Sequence, residues 1–416
     1  MVLINSRKKQ LALGPVRCNL LLANIFFAAL SVIGQSGQLI SLPLWVDATE
    51  QVAKNNASYD IDNITENGNH THLSMDSYFV VSFASFCYVI FFGAITLAIK
   101  FIKPGEIGEA ERNFPRKNLI VVGGFDAANG LLVVFASSGT RTPPYLQAIL
   151  QNVSIPLIVI VRYLLLHKKP TLKKLICTVV VMLCLFICLI PKIFPSINGK
   201  AQHHLPHAAT GAAAIIWPII FMIGFIPAAF MNAYEEAGLK MKSPNEKRVN
   251  AIWYLTWTSF YQLVTVALFF WLDFLPFYGN QPDIQTFGRS YAFGLSCFFG
   301  GSGCSAAPGL RGTSFILFYI INYIGGSLLM RYAEGATLLA IVGALVTPIG
   351  FIFWTLFQEE PFMFHPHVSN TTWFSLAGII VMFPALIIYN MGKKEIDMTN
   401  RDDTDSTASL MGYDKL

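Results

Sequence analysis

Asp126 is the first residue in this chain that could do chemistry, because it is the one acidic residue expected deep inside an apolar stretch. Gly123, Asn129 and Gly130 recur beside it at helical spacings, so together they define one small and polar face. Polar groups in hydrocarbon are costly and mark functional positions by default. Burial favours a carboxyl's neutral form, which makes Asp126 a candidate proton carrier; the structural alternative is a bond to an adjacent helix. Gln147, Gln151 and Ser154 share a second face, and Pro156 follows, freeing a backbone carbonyl and permitting a kink. Such a stripe can line a wet cavity for zwitterionic or amide-bearing solutes. Interhelical hydrogen bonding, worth about 0.6 kcal/mol per contact, is the plainer alternative. Thr347 precedes Pro348 in a comparable segment with a more apolar face, so the cavity is expected to be asymmetric. Asn322 and Tyr323 adjoin Gly325-Gly326, which also suits close helix packing. Gln35 and Gln38 flank Gly37, and Asn232, Glu235 and Glu236 are expected at a solvated helix end.

Other chemistries find less support. His203, His204 and His207 could ligate a metal or sense an acidic compartment, since imidazole titrates near neutrality, but surface loops collect histidines without purpose. The cysteines form no zinc pattern, and no histidine box or nucleophile motif occurs. No catalytic residue, metal or cofactor is therefore expected, and no enzyme.

The elements that must position these residues are membrane helices. Charged residues make up 13% of the chain, about half of what a water-facing surface needs. Apolar stretches long enough for the ~30 Å hydrocarbon core lie near 19–45, 78–99, 118–138, 144–166, 175–194, 212–233, 251–273, 313–330, 335–357 and 373–390. With both termini in the cytosol, only Lys54, Arg141, Lys192, Lys200, Arg289 and Arg311 of the 29 basic residues fall on the far side. This asymmetry also argues against nucleic acid as the reason for the net positive charge. Glycosylation sequons at Asn56, Asn63, Asn69 and Asn370 lie on that same far, lumenal face. Asn152 also matches the pattern, but in mid-membrane.

The fourth and ninth stretches align without a gap. Leu146, Ala148, Ile149, Pro156, Ile160 and Leu164 match Leu338, Ala340, Ile341, Pro348, Ile352 and Leu356 at one constant displacement. The expected fold is all-α and integral to the membrane, with ten transmembrane helices as two inverted five-helix repeats. Five spans per half force the halves into opposite orientations, the architecture of many secondary transporters. The boundaries are a cytosolic N-terminus (1–18), a first half (19–194) with a glycosylated loop at 47–77, a linker (195–211), a second half (212–390) with a lumenal loop at 274–312, and a disordered cytosolic tail (391–416).

Phe114-Pro-Arg-Lys, Gly124-Phe-Asp-Ala-Ala-Asn-Gly130, Pro143-Pro-Tyr-Leu-Gln-Ala-Ile-Leu-Gln-Asn152 and Lys168-Lys-Pro-Thr-Leu carry a resemblance, as does Ser314–Glu360 with Asn322 and its Trp354-Thr-Leu-Phe-Gln-Glu-Glu ending. Within the drug/metabolite transporter superfamily, these stretches resemble the chloroquine-resistance transporter family. The resemblance implies a lysosomal or vacuolar membrane, and export of small organic solutes such as amino acids, peptides, thiols or cationic drugs to the cytosol, often with protons. Parasite members carry two disulfides between spans 7 and 8. Here only Cys297 and Cys304 fall there, in an oxidising lumen, so one bridge is expected. A nucleotide-sugar carrier of the Golgi or ER shares the fold, but would favour more basic residues in the cavity than Arg162. A receptor or scaffold is the reading from another class.

The tail ends Gly412-Tyr-Asp-Lys-Leu416, in which Tyr413 and Leu416 form a sorting signal of the kind read by clathrin-adaptor machinery at lysosomal delivery. The expected partners are thus a small solute, protons, the lipid bilayer and that machinery. Tyr413→Ala is expected to send the protein to the cell surface, scored by surface labelling of intact cells; continued lysosomal residence discards the signal.

Overall fold

A computed structural model describes residues 10–13, 16–61, 76–137, 141–166, 168–193, 211–241, 248–301, 304–333, 335–358, 362–366, 370–390 and 396–397. Among the described residues, eight helices are long and apolar enough to cross a membrane. The first, α1 (Leu20–Ile61), has 42 residues, about twice what a ~30 Å core requires. Its membrane-crossing part is Leu22–Val46. Beyond it, Ala48, Glu50, Gln51, Ala53 and Lys54 are good helix formers, so the helix runs on where a loop was expected from residue 47. Asn56 lies in this extension, while Asn63 and Asn69 fall outside the described residues.

Helix α2 (Ser77–Ile102) begins at Asp76, whose side chain accepts from the Tyr78 amide. Helix α3 (Arg116–Ser137) follows. The next crossing is broken into α4 (Pro144–Leu150), a 3₁₀ turn at Gln151–Val153 and α5 (Ser154–Leu166). Pro156 explains the break, because its ring displaces the carbonyl one turn earlier. After α6 (Leu172–Ile193), α7 (Ala213–Lys240) and α8 (Ala251–Leu268), a 3₁₀ turn spans Phe270–Phe274. The stretch expected as a loop at 274–312 contains a helix, α9 (Ile284–Phe298), and Cys297 is bonded to Cys304 before α10 (Ala307–Tyr332). The following crossing is again broken, into α11 (Ala336–Ala344) and α12 (Val346–Leu356), just before Pro348. Helix α13 (Asn370–Asn390) is the last, and Asn370 is its first residue.

Helices α6 and α13, with 22 and 21 residues, pack on each other. The surface of α6 shows what solvent the bundle meets. Leu172, Leu175, Ile176, Val179, Met182, Leu183 and Phe186 point outward at helical spacing, and Cys177, Val181, Cys184 and Cys188 point inward. An outward face this apolar faces lipid. Short strands tie the ends: β1 (Gln10–Leu13) with β2 (Val16–Asn19), β3 (Lys168–Lys169) with β6 (Ile396–Asp397), and β4 (Phe357–Gln358) with β5 (Met363–Phe364). Within the tail expected to be disordered, Ile396–Asp397 is therefore paired; Tyr413 and Leu416 lie outside the described residues.

The most extensive helix–helix packing is α1 on α10 and α3 on α7. Glycines permit the first. A Cβ added at Gly34 would sit 2.5 Å from the Asn322 amide nitrogen, and one at Gly325 would sit 2.7 Å from that of Ser31. Backbone cannot yield as a flexible side chain does, so Gly34→Ala and Gly325→Ala are expected to cost about 1–3 kcal/mol each. Gly93→Ala, which meets nothing within 4 Å, is expected to be neutral or stabilising. Thermal melting of the detergent-purified protein measures all three.

Candidate functional site

Helices α1, α3, α4, α5, α7, α10 and α11 enclose a central cavity of about 230 Å³. Its wall holds Asn129, Gln147, Gln151, Ser154 and Asn322 from the sequence-derived set, together with Gln35, Gln38 and Asn232. The structure thus gathers residues from both ends of the chain around one space.

Among the amides on the wall, Asn129, Gln147, Gln151 and Asn322 have bonds that fix them, whereas Gln38 Nε2 meets no acceptor among the described residues. The Asn129 amide donates to the Gly224 carbonyl at 2.9 Å, tying α3 to α7. Asn322 Oδ1 accepts from the Ser31 hydroxyl at 3.0 Å, tying α10 to α1. Gln147 donates to the carbonyls of Ser137 and Thr142, so it clasps the turn between α3 and α4 as well as lining the cavity. Gln151 donates to Ala148 O. At the helix breaks, Asn152 donates to Ile149 O and to Thr347 Oγ1, the latter at 2.7 Å, joining the two interrupted crossings. Thr347, Pro156 and Pro348 are not on the wall: the threonine is buried against Asn152, and the prolines act through the breaks. The α11 side of the cavity consists of Leu339, Ala340, Gly343 and Ala344, so the two broken helices present unlike faces.

Asp126 is 5% exposed and sits behind the wall. The Tyr323 hydroxyl, which does line the cavity, donates to Asp126 Oδ2. Asp126 Oδ1 meets no hydrogen-bond donor among the described residues. Tyr88, Tyr319 and Tyr323 cluster around this point: Tyr88 and Tyr319 stack with ring centroids 4.9 Å apart, and Tyr323 meets Tyr319 edge-on at 4.7 Å.

Asp126 is not the sole buried acid, and Glu235 and Glu236 are not solvated. They are 4% and 1% exposed. The reason is that α7 continues to Lys240, beyond the drop in hydropathy at Asn232. Glu235 lines the cavity and accepts from the Ser327 hydroxyl of α10 at 2.5 Å. Glu236 turns away and forms ion pairs with Arg162 of α5 at 3.3 Å and Lys240 at 2.9 Å, and it accepts from the Ala336 amide that starts α11. Its carboxyl fills the space beside Gly335, whose φ of +98° suits glycine. These partners are far apart in the chain, and nothing local announces them. Asn152, whose bond to Thr347 joins the two breaks, likewise depends on a distant partner.

His203, His204 and His207 lie outside the described residues, and no group of three metal-ligating side chains occurs among the described ones.

The sequence model of the CRT-like, chloroquine-resistance transporter-like family matches residues 63–389. The chain is also similar to three proteins of Dictyostelium discoideum. It is 26% identical to Crt homolog 1 over 345 residues, covering 76% of this chain and 68% of that protein. It is 27% identical to Crt homolog 2 and 23% identical to Crt homolog 3, over 48% and 46% of this chain but only 37% and 36% of those proteins.

Glu236 gives the site its sharpest stability test. Glu236→Gln removes the charge that offsets Arg162 in the interior and is expected to cost about 3 kcal/mol. The double change Arg162→Met with Glu236→Leu is expected to recover most of that loss in thermal melting, because no buried charge then lacks its counterpart.

Proposed function

We propose, from the premise that this chain belongs to the chloroquine-resistance transporter-like family and is thus a membrane transporter, that it moves small organic solutes from an acidic lysosomal or vacuolar lumen to the cytosol. The transport proceeds by alternating access and is coupled to protons. The carrying observation is the central cavity, walled by amide, hydroxyl and carboxyl groups drawn from helices early and late in the chain. Such a wall suits zwitterionic, amide-bearing or cationic solutes. The nucleotide-sugar alternative needs a cation in the cavity, and Arg162 is instead engaged with Glu236 behind it.

The proposed architecture is ten spans in two inverted halves, with α6 and α13 as the fifth and tenth. Three observations support it. The crossings interrupted at Gln151–Val153 and at Leu345 break just ahead of Pro156 and Pro348, which match in the sequence alignment. The bond from Asn129 of α3 to Gly224 of α7 has a counterpart between Asn322 of α10 and Ser31 of α1, and each residue matches its counterpart at one shared displacement. The packing pairs also interchange: α1 with α10 corresponds to α7 with α3, while α2 with α8 and α6 with α13 map onto themselves. Pairing of β3 with β6 supports placing the α5–α6 connection and the tail on one membrane face.

Asp126 is the proposed proton carrier, since its bond to Tyr323 connects it to the wall while its other oxygen is open to a proton. The test uses cells displaying the protein at their surface through the Tyr413→Ala change. Amino acids, peptides, thiols and cationic drugs are presented at acid and neutral external pH. Acid-stimulated uptake of one class is expected, and it should lose its acid stimulation in Asp126→Asn at unchanged surface abundance. No uptake of any class rejects the transport reading, and unchanged proton dependence in the variant removes Asp126 from it.

A further inference from the structure

At the end of the bundle where α2 starts and α8 ends, two carboxyl groups face each other. Asp76 precedes α2, and Asp273 lies in the 3₁₀ turn after α8. They are 2% and 0% exposed, and their side chains are in hydrogen-bond contact. Each has one satisfied oxygen. Asp76 Oδ1 accepts from the Tyr78 amide and from Asn280 Nδ2, both at 3.2 Å, and Asp273 Oδ1 accepts from the Asn280 amide at 3.0 Å. The second oxygen of each, Oδ2, meets no donor among the described residues. Two ionised carboxyls in contact repel, and a carboxylate is an acceptor only, so neither can supply what the other lacks. A single proton between them satisfies both at once, as an O–H of one donating to the other.

We propose that Asp76 and Asp273 hold one proton between them and form a pH-operated latch across this end of the helix bundle. Four other segments close on the pair. Arg141, in the turn between α3 and α4, donates to the carbonyls of Phe135 and Tyr278 and, at 2.7 Å, to Asn280 Oδ1, and its guanidinium lies 3.9 Å from the Trp217 ring centre of α7. Tyr278 donates to Leu131 O of α3, and Tyr78 donates to Val266 O of α8. Gln281 donates to Ser290 of α9. The turn is drawn tight around Asp273: a Cβ at Gly279 would fall 1.8 Å from the Asp273 carbonyl oxygen. The charged and titratable groups around the pair are thus Arg141, Tyr78, Tyr278 and Tyr291. Burial lowers the Arg141 guanidinium from its ordinary value, an effect opposed by Tyr278, Asp76 and Asp273, and burial pushes the Tyr278 hydroxyl up to about 12. One positive charge therefore stands against a pair that carries one negative charge while it keeps its proton. Loss of that proton leaves two negative charges in contact and parts α2 from the α8 turn. In the orientation proposed above this end faces the lumen, so acidity holds it shut. The latch itself does not depend on what, or whether, the protein transports.

Its test is a stability measurement on the purified full-length protein in detergent. The folded state holds a proton that the unfolded chain releases above the carboxylate range, so the melting temperature is expected to fall as pH rises. Asp273→Asn and Asp76→Asn each replace the shared proton by a permanent N–H donor. Both are expected to flatten that fall, by roughly 2 °C per pH unit relative to the parent between about pH 5 and 8. A carboxylic-acid C=O component is expected in the infrared difference spectrum of parent minus either variant at neutral pH. If one variant does not fold, the other decides. The same slope in the parent and a folded variant, and no such component between them, overturn the latch, whatever the uptake assays report.

Discussion

Hydrocarbon offers no partner to a polar group, so an amide, hydroxyl or charge inside this bundle has to look for its partner in another part of the chain. That constraint organises the interior. Two crossings are interrupted by proline, and the bond from Asn152 to Thr347 joins them where they break. The cavity lies beside this junction, with Gln151 and Ser154 of one break and Gly343 and Ala344 of the other on its wall. Asn129 and Asn322 are held there by distant groups, Gly224 and Ser31, so the polar wall is assembled by the same bonds that hold the helices at their crossings.

What was legible in the sequence was what depends on neighbours within a turn or two. The polar stripe of Gln147, Gln151 and Ser154 is local, and so is the effect of a proline on the carbonyl one turn before it. The crossings could be placed because each needs its own run of apolar residues. The alignment of Leu146–Leu164 with Leu338–Leu356 pairs Pro156 with Pro348, and the breaks at Gln151–Val153 and Leu345 lie just ahead of these prolines.

The remainder escaped because it depends on distant partners. Hydropathy falls at Asn232, which reads as the end of a span, yet α7 continues to Lys240 because Ser327, Arg162 and the Ala336 amide receive its acids. Helix α9 is short, carries Arg289 on its exposed side and covers α2 with Phe287 and Tyr291, so no long apolar run announces it. The extension of α1 to Ile61 escaped for the opposite reason: its residues are polar enough for a loop and also good helix formers, and only the absence of a breaker decides.

Glu235 and Glu236 show how a bilayer interior separates two kinds of carboxyl. Successive residues on a helix point about 100° apart, so adjacent glutamates reach different surroundings. Glu236 meets the cations Arg162 and Lys240 and ties α7 to α5 as part of the frame. Glu235 receives its bond from the Ser327 hydroxyl, and Asp126 from the Tyr323 hydroxyl. A hydroxyl can donate to a carboxylate or accept from a carboxylic acid, so it accommodates either state without rearrangement. The carboxyls bonded to hydroxyls are those on the cavity wall or one residue behind it, and the carboxyl bonded to cations is turned away from it. Two kinds of surroundings, hydroxyl and cation, are thus separated by one step along a single helix.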